Sequence, residues 1–335
     1  MQSNNTTLSK QQIESFFEEG FLIIPNLFNQ AELTTILNKA NSLKAEAIEL
    51  AKHHSGKVMS RGTQFVVNKI QNKVQINRIV WAGAAEPDLL TVSRQAKLLL
   101  PVSQLLGSDE ADHLTNQFHY KLPHDRVEFW WHQDVHHRIN YENNWRDVNG
   151  KGSFVQVLIA IEPMTLDNGP IFMVPKSVKY GAISQDVFQA KLTKILVKDK
   201  AIPLLLNPGD VALMHPYLIH GSFPNESEES RILFINGFSY PGANTKKYVD
   251  INNAERISLV EIFENSTSVG NLRVHSLLDS SCTKMYNPDL RYESPSTNLT
   301  EASFEKSIIN ESFCEYSINQ SEGQSMVGCD FFVNI

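Results

Sequence analysis

The chain of 335 residues has little of what marks nucleic-acid-binding or membrane proteins. It has 30 Lys and Arg against 37 Asp and Glu, a net charge of -7, and therefore lacks the basic excess on which binding to phosphate backbones depends. No apolar run approaches the roughly 20 residues that cross a bilayer. These shortages predict that neither nucleic acid nor a membrane is a partner, and we expect a small molecule instead.

Cysteine is also scarce. Cys282, Cys314 and Cys329 are an odd number and all lie late in the chain, so they have neither the close pairing of a zinc site nor the density of a disulfide scaffold. The first residues, MQSNNTTLSKQQ, lack the basic and apolar segments of a secretory signal peptide. We therefore expect a soluble, cytoplasmic protein.

Apolar residues, by contrast, make up 41% of the chain, enough to bury a substantial core. Two helices are predicted near the start. Ser9 with Gln12, and Asn29 with Glu32, have the spacing of a capping box ahead of apolar residues at helical intervals. Between them, FLIIP at 21–25 predicts a short buried strand that ends at proline.

From about residue 64 the chain becomes a series of short strand-like runs with turn formers between several of them. The runs are FVV (65–67), VQINRIVW (74–81), HLTNQFHYKL (113–122), VEFWWHQD (127–134), FVQVLIAIE (154–162), GPIFMVP (169–175), DVALMHP (210–216) and RILFINGF (231–238). Only one helical stretch is predicted among them, near Ser184–Lys194. This order predicts a mainly β fold with flanking helices, a sandwich or barrel.

Composition changes again near residue 242. Beyond Pro241 the chain is dense in Ser and Asn, with only brief apolar islands such as LVEIF (259–263). We predict a main domain over 1–242 and a polar, Ser/Asn-rich extension of unknown role over 243–335.

The clearest chemical signal is WWHQD at 130–134. Alternate residues of a strand share a face, so a strand here would present His132 and Asp134 side by side. His220, at the end of the run YLIH, offers a third side chain. Two histidines and one carboxylate on one face of an octahedron are the ligands of non-heme Fe(II) oxygenases. A lone HxD tripeptide is common by chance, and hydrogen-bonded structural histidines are the alternative.

Arg231 supplies a second signal, because it opens the apolar strand RILFING. A buried arginine is costly unless it meets an anion, and its planar guanidinium binds a carboxylate through two hydrogen bonds. The sequence leaves two partners open: a ligand whose other end reaches the metal, or an ordinary ion pair with Glu226, Glu228 or Glu229.

Several segments together resemble the phytanoyl-CoA dioxygenase family of Fe(II)/2-oxoglutarate oxygenases. They are HQD (132–134), DNGPIFMVPKS (167–177), NPGDVALMHPYLIHG (207–221) and H-G-S-x-x-N-x-S-x-x-x-R (220–231), with EEGFLIIPNLF (18–28) similar to the N-terminus of that family. The resemblance covers about residues 10–240. It implies a double-stranded β-helix, a jelly roll of the cupin-like kind.

The resemblance also implies roles for individual residues. The implied iron ligands are His132, Asp134 and His220. Arg231 is the implied partner of the distal carboxylate of 2-oxoglutarate, with Ser222 nearby.

Further contacts are implied for the strand that precedes the HxD motif. Gln117, His119 and Lys121 alternate on one face of it, where family members contact co-substrate and substrate. Lys121 is thereby a candidate 2-oxoglutarate contact. Gln117 and His119 are candidate substrate contacts, as are Gln133 and Trp145. A polar face at the barrel mouth is the alternative for the first three, and a core position is the alternative for the tryptophan.

The activity that the resemblance implies is that of a dioxygenase with Fe(II), O2 and 2-oxoglutarate as co-substrate. It would hydroxylate an unactivated C–H bond of a small molecule, an amino acid or a natural-product intermediate, and release succinate and CO2. Asp134 favours hydroxylation, since related halogenases carry a small residue at that position. Two alternatives remain: a non-catalytic barrel that binds a small molecule, and a cupin-type metal enzyme that does not use 2-oxoglutarate. Arg231 argues against the latter.

Overall fold

The computed structural model describes residues 6–70, 73–108, 111–136, 145–188 and 200–241, with Val197, Ala243 and three short strands beyond them. The helices are α1 Lys10–Glu19, α2 Gln30–Leu50, α3 Ala82–Ala85, α4 Asp88–Ser93, α5 Ala96–Leu106 and α6 Gln185–Phe188, with a 3-10 helix at Ser177–Tyr180. The strands are β1 Phe21–Ile24, β2 Gly56–Ser60, β3 Thr63–Ile70, β4 Lys73–Val80, β5 Ala111–Lys121, β6 Phe129–His132, β7 Phe154–Ala160, β8 Ile171–Val174, β9 Ala182–Ile183, β10 Ile202–Leu204, β11 Val211–Met214, β12 Ile219–Ser222, β13 Arg231–Ser239, β14 Leu272–Val274, β15 Thr283–Lys284 and β16 Asn298–Leu299.

Most of the strands form two antiparallel sheets. The larger has the order β1-β11-β7-β13-β5-β4-β3-β2, and the smaller has the order β10-β8-β12-β6. One cluster of buried side chains draws on β7, β11 and β13 of the larger sheet and on β8 and β10 of the smaller one. The inner faces of the two sheets therefore pack against each other, as in a jelly roll.

Helices cover the outer face of the larger sheet. A second core cluster combines the apolar faces of α2 and α5 with alternate residues of β3, β4, β5, β7 and β13. Tyr120 of β5 adds a buried hydrogen bond, since its hydroxyl donates to the carbonyl oxygen of Ala40 in α2 (2.8 Å). With one face of the sheet held by helices, polar side chains on the other face point into the space between the sheets.

The structure confirms the mainly β architecture with flanking helices and both N-terminal capping boxes. One prediction is wrong: α3, α4 and α5 lie between β4 and β5, where no helix was expected. Leu98, Val102 and Leu105 of α5 are buried at helical spacing. Pro101 lies among them, and because proline normally ends a helix, the sequence alone argued against one there. α6 lies at the start of the predicted helical stretch 184–194, most of which falls outside the described residues.

The predicted extension over 243–335 lies outside the described residues, except for Ala243, β14, β15 and β16. β14 pairs with β5 and β15, and β16 pairs with β9. The domain boundary at residue 242 stays a prediction. Among the described residues, no helix has both the length and the apolar character needed to span a membrane. The cytoplasmic location and the expected absence of nucleic-acid and membrane partners also stay predictions.

Candidate metal centre and co-substrate site

The structure brings the side chains of His132, Asp134 and His220 together beside the smaller sheet. His132 is the last residue of β6 and pairs with His220 of β12. The Oδ1 atom of Asp134 lies 3.8 Å from Nε2 of His132 and 3.7 Å from Nε2 of His220. One donor atom from each residue falls within 4.8 Å of the other two. Three residues separated by up to 88 positions thus converge on one point, as the sequence pattern predicts.

Strand alternation, however, is not what brings Asp134 next to His132. β6 ends at His132, and Asp134 lies in the turn that follows. The side chain of Gln133, between them, is fully buried and anchors this turn. Because the turn, not the pleat, sets the direction of the carboxylate, the same-face argument made from the sequence is corrected here.

Gln133 anchors the turn through both ends of its amide. Its Nε2 donates to the carbonyl oxygens of Gly181 (2.9 Å) and Tyr217 (2.7 Å), and its Oε1 accepts from the backbone N–H of Ile183 (2.8 Å). These bonds use the hydrogen-bonding capacity of the amide and tie the turn to two other segments. The substrate contact predicted for Gln133 is not supported by this placement.

Backbone carbonyls select the tautomer of both histidines. Nδ1 of His132 lies 2.6 Å from the carbonyl oxygen of Trp130, and Nδ1 of His220 lies 2.9 Å from that of Leu218. A carbonyl oxygen only accepts, so each Nδ1 carries the proton and each Nε2 carries the lone pair directed toward Asp134. Oδ2 of Asp134 is buried without a hydrogen-bond partner in the described part of the chain. The Nε2 lone pairs of the two histidines and the carboxylate of Asp134 face one another, and this arrangement fits a divalent cation.

A β-bulge in β6 directs the side chains of its three aromatic residues to different places. Phe129 pairs with Ser222 and His132 pairs with His220, so two tryptophans of β6 lie opposite the single residue Gly221 of β12. Trp131 packs against the outer cluster around Val174 and Ile219, on the side away from the metal cluster. Trp130 is 58% exposed. Phe129 points inward, and its ring stacks on that of His119 at 4.7 Å.

Gly221 allows this close approach of β6 to β12. A Cβ atom at that position would lie 3.0 Å from the carbonyl oxygen of Phe129 and 3.2 Å from the backbone nitrogen of Trp131. Gly221→Ala is therefore expected to push the strands apart, separate His132 from His220 and weaken Fe(II) binding by about tenfold, as loss of ligand support does. The measurement is an anaerobic Fe(II) titration. Ser222→Ala, a control that adds no atom, should keep wild-type affinity, and a folded Gly221→Ala protein with unchanged affinity would contradict the argument.

Arg231 and Lys121 form a second cluster where β13 and β5 pair. Arg231 is 1% exposed and Lys121 is 0% exposed. Nη2 of Arg231 donates to the carbonyl oxygen of Gly169 (2.9 Å), and Nζ of Lys121 donates to that of Phe223. Nε of Arg231 is buried without a hydrogen-bond partner in the described part of the chain. Both basic side chains thus donate to neutral carbonyl groups.

The ordinary ion pair left open by the sequence is not formed by Arg231 within the described residues. Glu228, one of the three candidate partners, is 2.9 Å from Nε2 of His124. Burial lowers the pKa of Arg231 to about 9, although the charge of Glu162 opposes this. Burial, with the charge of Arg231, lowers the pKa of Lys121 to about 6. Two buried basic side chains beside each other, each with its positive charge disfavoured by burial, fit an anionic ligand such as a carboxylate.

Binding of 2-oxoglutarate is therefore expected to be coupled to protonation of Lys121. The free protein holds this amine neutral above about pH 6, and an adjacent carboxylate raises its pKa. The complex then binds more protons than the free protein, so 2-oxoglutarate affinity should fall as pH rises from about 6 to 8. Calorimetry in buffers of different ionisation enthalpy measures the proton uptake. Lys121→Met should abolish it, Lys57→Met should not, and a pH-independent affinity of the wild type would contradict the coupling.

The other predicted contacts divide between the inter-sheet space and the core. Ser222 is buried on the same face of β12 as His220. Gln117 and His119 share the inward face of β5 with Lys121 and are partly exposed. Trp145 packs edge-on against Phe154 at 6.0 Å, within a core cluster. The core alternative is thus favoured for Trp145, and its predicted substrate contact is not supported.

Residues 16–233 match the family model described as phytanoyl-CoA dioxygenase (PhyH). The chain belongs to the phytanoyl-CoA dioxygenase family. This family uses Fe(II), 2-oxoglutarate and O2. The expected family is confirmed. The match ends just after Arg231 and includes the metal cluster and the cation pair.

Two curated relatives of this phytanoyl-CoA dioxygenase family member are ectoine dioxygenases. The one from Bordetella bronchiseptica is 23% identical over 172 residues, which are 51% of this chain and 49% of that protein. The one from Sphingopyxis alaskensis is 21% identical over 243 residues, 67% of this chain and 73% of that protein. Dioxygenase lolE1 from Epichloe uncinata is 28% identical over 107 residues, 41% of its length. The chain thus spans about half the length or less of the first and third of these relatives.

Solved structures with the same fold include EctD from S. alaskensis with 2-oxoglutarate and 5-hydroxyectoine. It has a TM-score of 0.55 and 19% identity, with 77% of this chain and 84% of that chain covered. The non-heme alpha ketoglutarate dependent carbocyclase SnoK from nogalamycin biosynthesis has a TM-score of 0.52 and 17% identity, with 71% and 88% covered. At these identities the likeness shows the fold, and it confirms the double-stranded β-helix predicted for this family member.

The sequence did not indicate a role in the site for two residues, Phe129 and Gly169. Phe129 covers the inward side of β6, and its only sequence signal was membership of the run FWWH. Gly169 has a φ of +77°, and a Cβ there would lie 2.7 Å from Cδ of Lys121 and 2.7 Å from the carbonyl oxygen of Phe223. The turn Asp167-Asn168-Gly169 was visible in the sequence, but its contact with Arg231 and Lys121 was not.

Proposed function

We propose that this chain is an Fe(II)- and 2-oxoglutarate-dependent hydroxylase, which oxidises an unactivated C–H bond of a small molecule and releases succinate and CO2. Six side chains form the site, three for the iron and three for the distal carboxylate of 2-oxoglutarate: His132, Asp134 and His220, then Arg231, Lys121 and Ser222. The observation that carries the proposal is the combination of a three-residue donor cluster with two buried cations in one inter-sheet space.

The metal half of the site depends on pre-oriented ligands. Fe(II) and 2-oxoglutarate, when bound, would supply the electrons that activate O2, which protein side chains cannot do. The carbonyl groups of Trp130 and Leu218 hold the two imidazoles with Nε2 as the acceptor. Asp134 contributes the negative charge that offsets part of the charge of a divalent ion. His132, Asp134 and His220 would hold Fe(II) from one side, and the bound ion would be open to the co-substrate and O2 on the other.

The co-substrate half depends on charge and on shape. Arg231 and Lys121 would hold the distal carboxylate, and the carbonyl of Gly169 holds the guanidinium in place. Phe129 lies between the two halves, with its ring 6.0 Å from Nζ of Lys121 and stacked on His119. Its ring covers part of the inner wall beside these two side chains.

The relatives support a small-molecule substrate, an amino acid derivative or a natural-product intermediate. Two of them are named for ectoine, and SnoK is named for nogalamycin biosynthesis. The carboxylate of Asp134 occupies the position that is small in halogenases, which supports hydroxylation as the reaction.

Succinate production tests the proposal. The protein is loaded with Fe(II) anaerobically and mixed with 2-oxoglutarate and O2, first alone and then with a panel of amino acids and ectoine. Basal succinate production, stimulated by at least one compound, is expected. Binding of 2-oxoglutarate without succinate would favour a non-catalytic binding module. Iron binding without any binding of 2-oxoglutarate would favour a cupin-type metal enzyme.

A further inference from the structure

Among the described residues, no hydrogen bond holds the carboxylate of Asp134 in place. Its Oδ1 atom is 3.8 Å from Nε2 of His132 and 3.7 Å from Nε2 of His220, and both distances are beyond the range of a hydrogen bond. Its Oδ2 atom is buried without a partner in the same part of the chain. The two histidines, by contrast, are each fixed by a carbonyl oxygen at Nδ1. The backbone of the turn that carries Asp134 therefore sets the position of its carboxylate.

That turn spans residues 133–136, and His136 closes it twice. The backbone N–H of His136 donates to the carbonyl oxygen of Gln133 (3.0 Å), which is the hydrogen-bond pattern of a β-turn. The backbone N–H of Gln133 donates to Nδ1 of the His136 side chain (3.3 Å). Asp134 and Val135 are thus the two central residues of a turn whose ends are joined by one backbone bond and one side-chain bond.

The other ring nitrogen of His136 fastens the turn to β9. Nε2 donates to the carbonyl oxygen of Ile183 (2.7 Å), while Oε1 of Gln133 accepts from the backbone N–H of the same residue (2.8 Å). Side chains from both ends of the turn therefore bind the two backbone polar groups of Ile183. Because a carbonyl oxygen only accepts, Nε2 of His136 carries the proton and Nδ1 carries the lone pair, the tautomer opposite to that of His132 and His220.

Packing keeps His136 in this position. Its side chain is buried, and its ring meets that of Phe188 in α6 edge-on, with the centroids 4.8 Å apart. Val135, the residue before it, is fully buried within a core cluster. Both nitrogens of His136 have partners, and the residue lies outside the three-residue donor cluster. Its hydrogen bonds thus act on the backbone that carries Asp134 and not on the ion itself.

We infer that His136 is a positioning residue, which holds the backbone of the turn so that the carboxylate of Asp134 faces the two histidines. The inference rests on the proposed function, because it concerns an iron ligand of the same site. Any buried, hydrogen-bonded histidine contributes to stability. A histidine that orients a metal ligand also contributes to metal affinity, by about 10- to 100-fold.

Anaerobic titration with Fe(II) alone tests this role. His136→Phe keeps a ring against Phe188 but loses both side-chain hydrogen bonds, so its Fe(II) affinity should fall at least about tenfold. His136→Gln keeps an amide N–H that can reach the carbonyl oxygen of Ile183, the shorter of the two bonds, and should recover most of this loss. Wild-type affinity of a folded His136→Phe protein, or no recovery in His136→Gln, would overturn the inference.

A third variant covers the case in which His136→Phe does not fold. His136→Asn has an oxygen that can replace Nδ1 as the acceptor from Gln133, but it has no donor that reaches Ile183. The loss of one hydrogen bond should weaken its Fe(II) binding at least about threefold. Wild-type affinity of this variant would then overturn the inference.

His113→Phe is the matched control. His113 is a fully buried histidine that stacks on Phe238, lies 3.3 Å from Oδ1 of Asn236 through its Nε2, and does not belong to the donor cluster. This variant should lose thermal stability and keep wild-type Fe(II) affinity. An equal loss of affinity in both phenylalanine variants would reduce the role of His136 to stability and overturn the inference. Absence of Fe(II) binding in the wild type would instead contradict the proposed function, so the two failures are distinguishable.

Discussion

Replacing His132 with alanine should reduce succinate production to the level measured without iron. Nε2 of this residue is one of the three donor atoms that converge within 4.8 Å, and no other described residue belongs to that cluster. Loss of even the hydrogen-bond partner of a ligand costs about 10- to 100-fold in metal affinity, so loss of the ligand itself should cost at least about 100-fold. Fe(II) titration under anaerobic conditions and succinate production under air measure the two effects.

His124→Ala is the matched control. His124 is an exposed histidine that pairs with Glu228 on the surface, and its removal changes the same kind of side chain outside the metal cluster. This variant should keep wild-type iron affinity and turnover. A His132→Ala protein that still binds iron with wild-type affinity would remove His132 from the proposed ligand set.

Replacing Arg231 with methionine should raise the KM for 2-oxoglutarate by at least about 30-fold, since loss of one partner of a buried charged hydrogen bond costs about 2 kcal/mol or more. The turnover number at saturating 2-oxoglutarate should change much less, because the metal cluster is untouched. Methionine fills a similar volume without a buried charge, so thermal stability should be kept. Steady-state kinetics over a range of 2-oxoglutarate concentrations separate KM from kcat.

Two further substitutions give this experiment its controls. Arg231→Lys keeps the charge but loses the planar fork, so it should recover only part of the affinity. Arg61→Met removes an arginine that pairs with Glu46 at the surface and should leave the KM unchanged. An unchanged KM in Arg231→Met would refute the role proposed for Arg231.

Local signals in the sequence were sufficient for much of the fold. Capping boxes at Ser9 and Asn29 and the apolar runs of the strands depend on residues a few positions apart, and the structure has them where expected. α5 shows where this fails. Pro101 within it normally ends a helix, whereas burial of the surrounding leucines against the larger sheet stabilises the helix there.

The sequence by itself determined which side chains have the chemistry to hold a cation and a carboxylate, because side-chain chemistry and motif spacing are local and are read directly. It identified His132, Asp134, His220 and Arg231 in this way. Only the tertiary structure decided that Asp134 reaches the histidines through a turn anchored by Gln133, since turn direction depends on partners distant in sequence.

The same holds for the co-substrate site. The register of β5 against β13 places Lys121 beside Arg231. A shift of one residue would turn one of these two side chains to the other face. Register is set by long-range pairing and by packing of the sheet against α2 and α5. The identity of the residues was therefore available from the sequence, and their arrangement was decided only when the sheets paired.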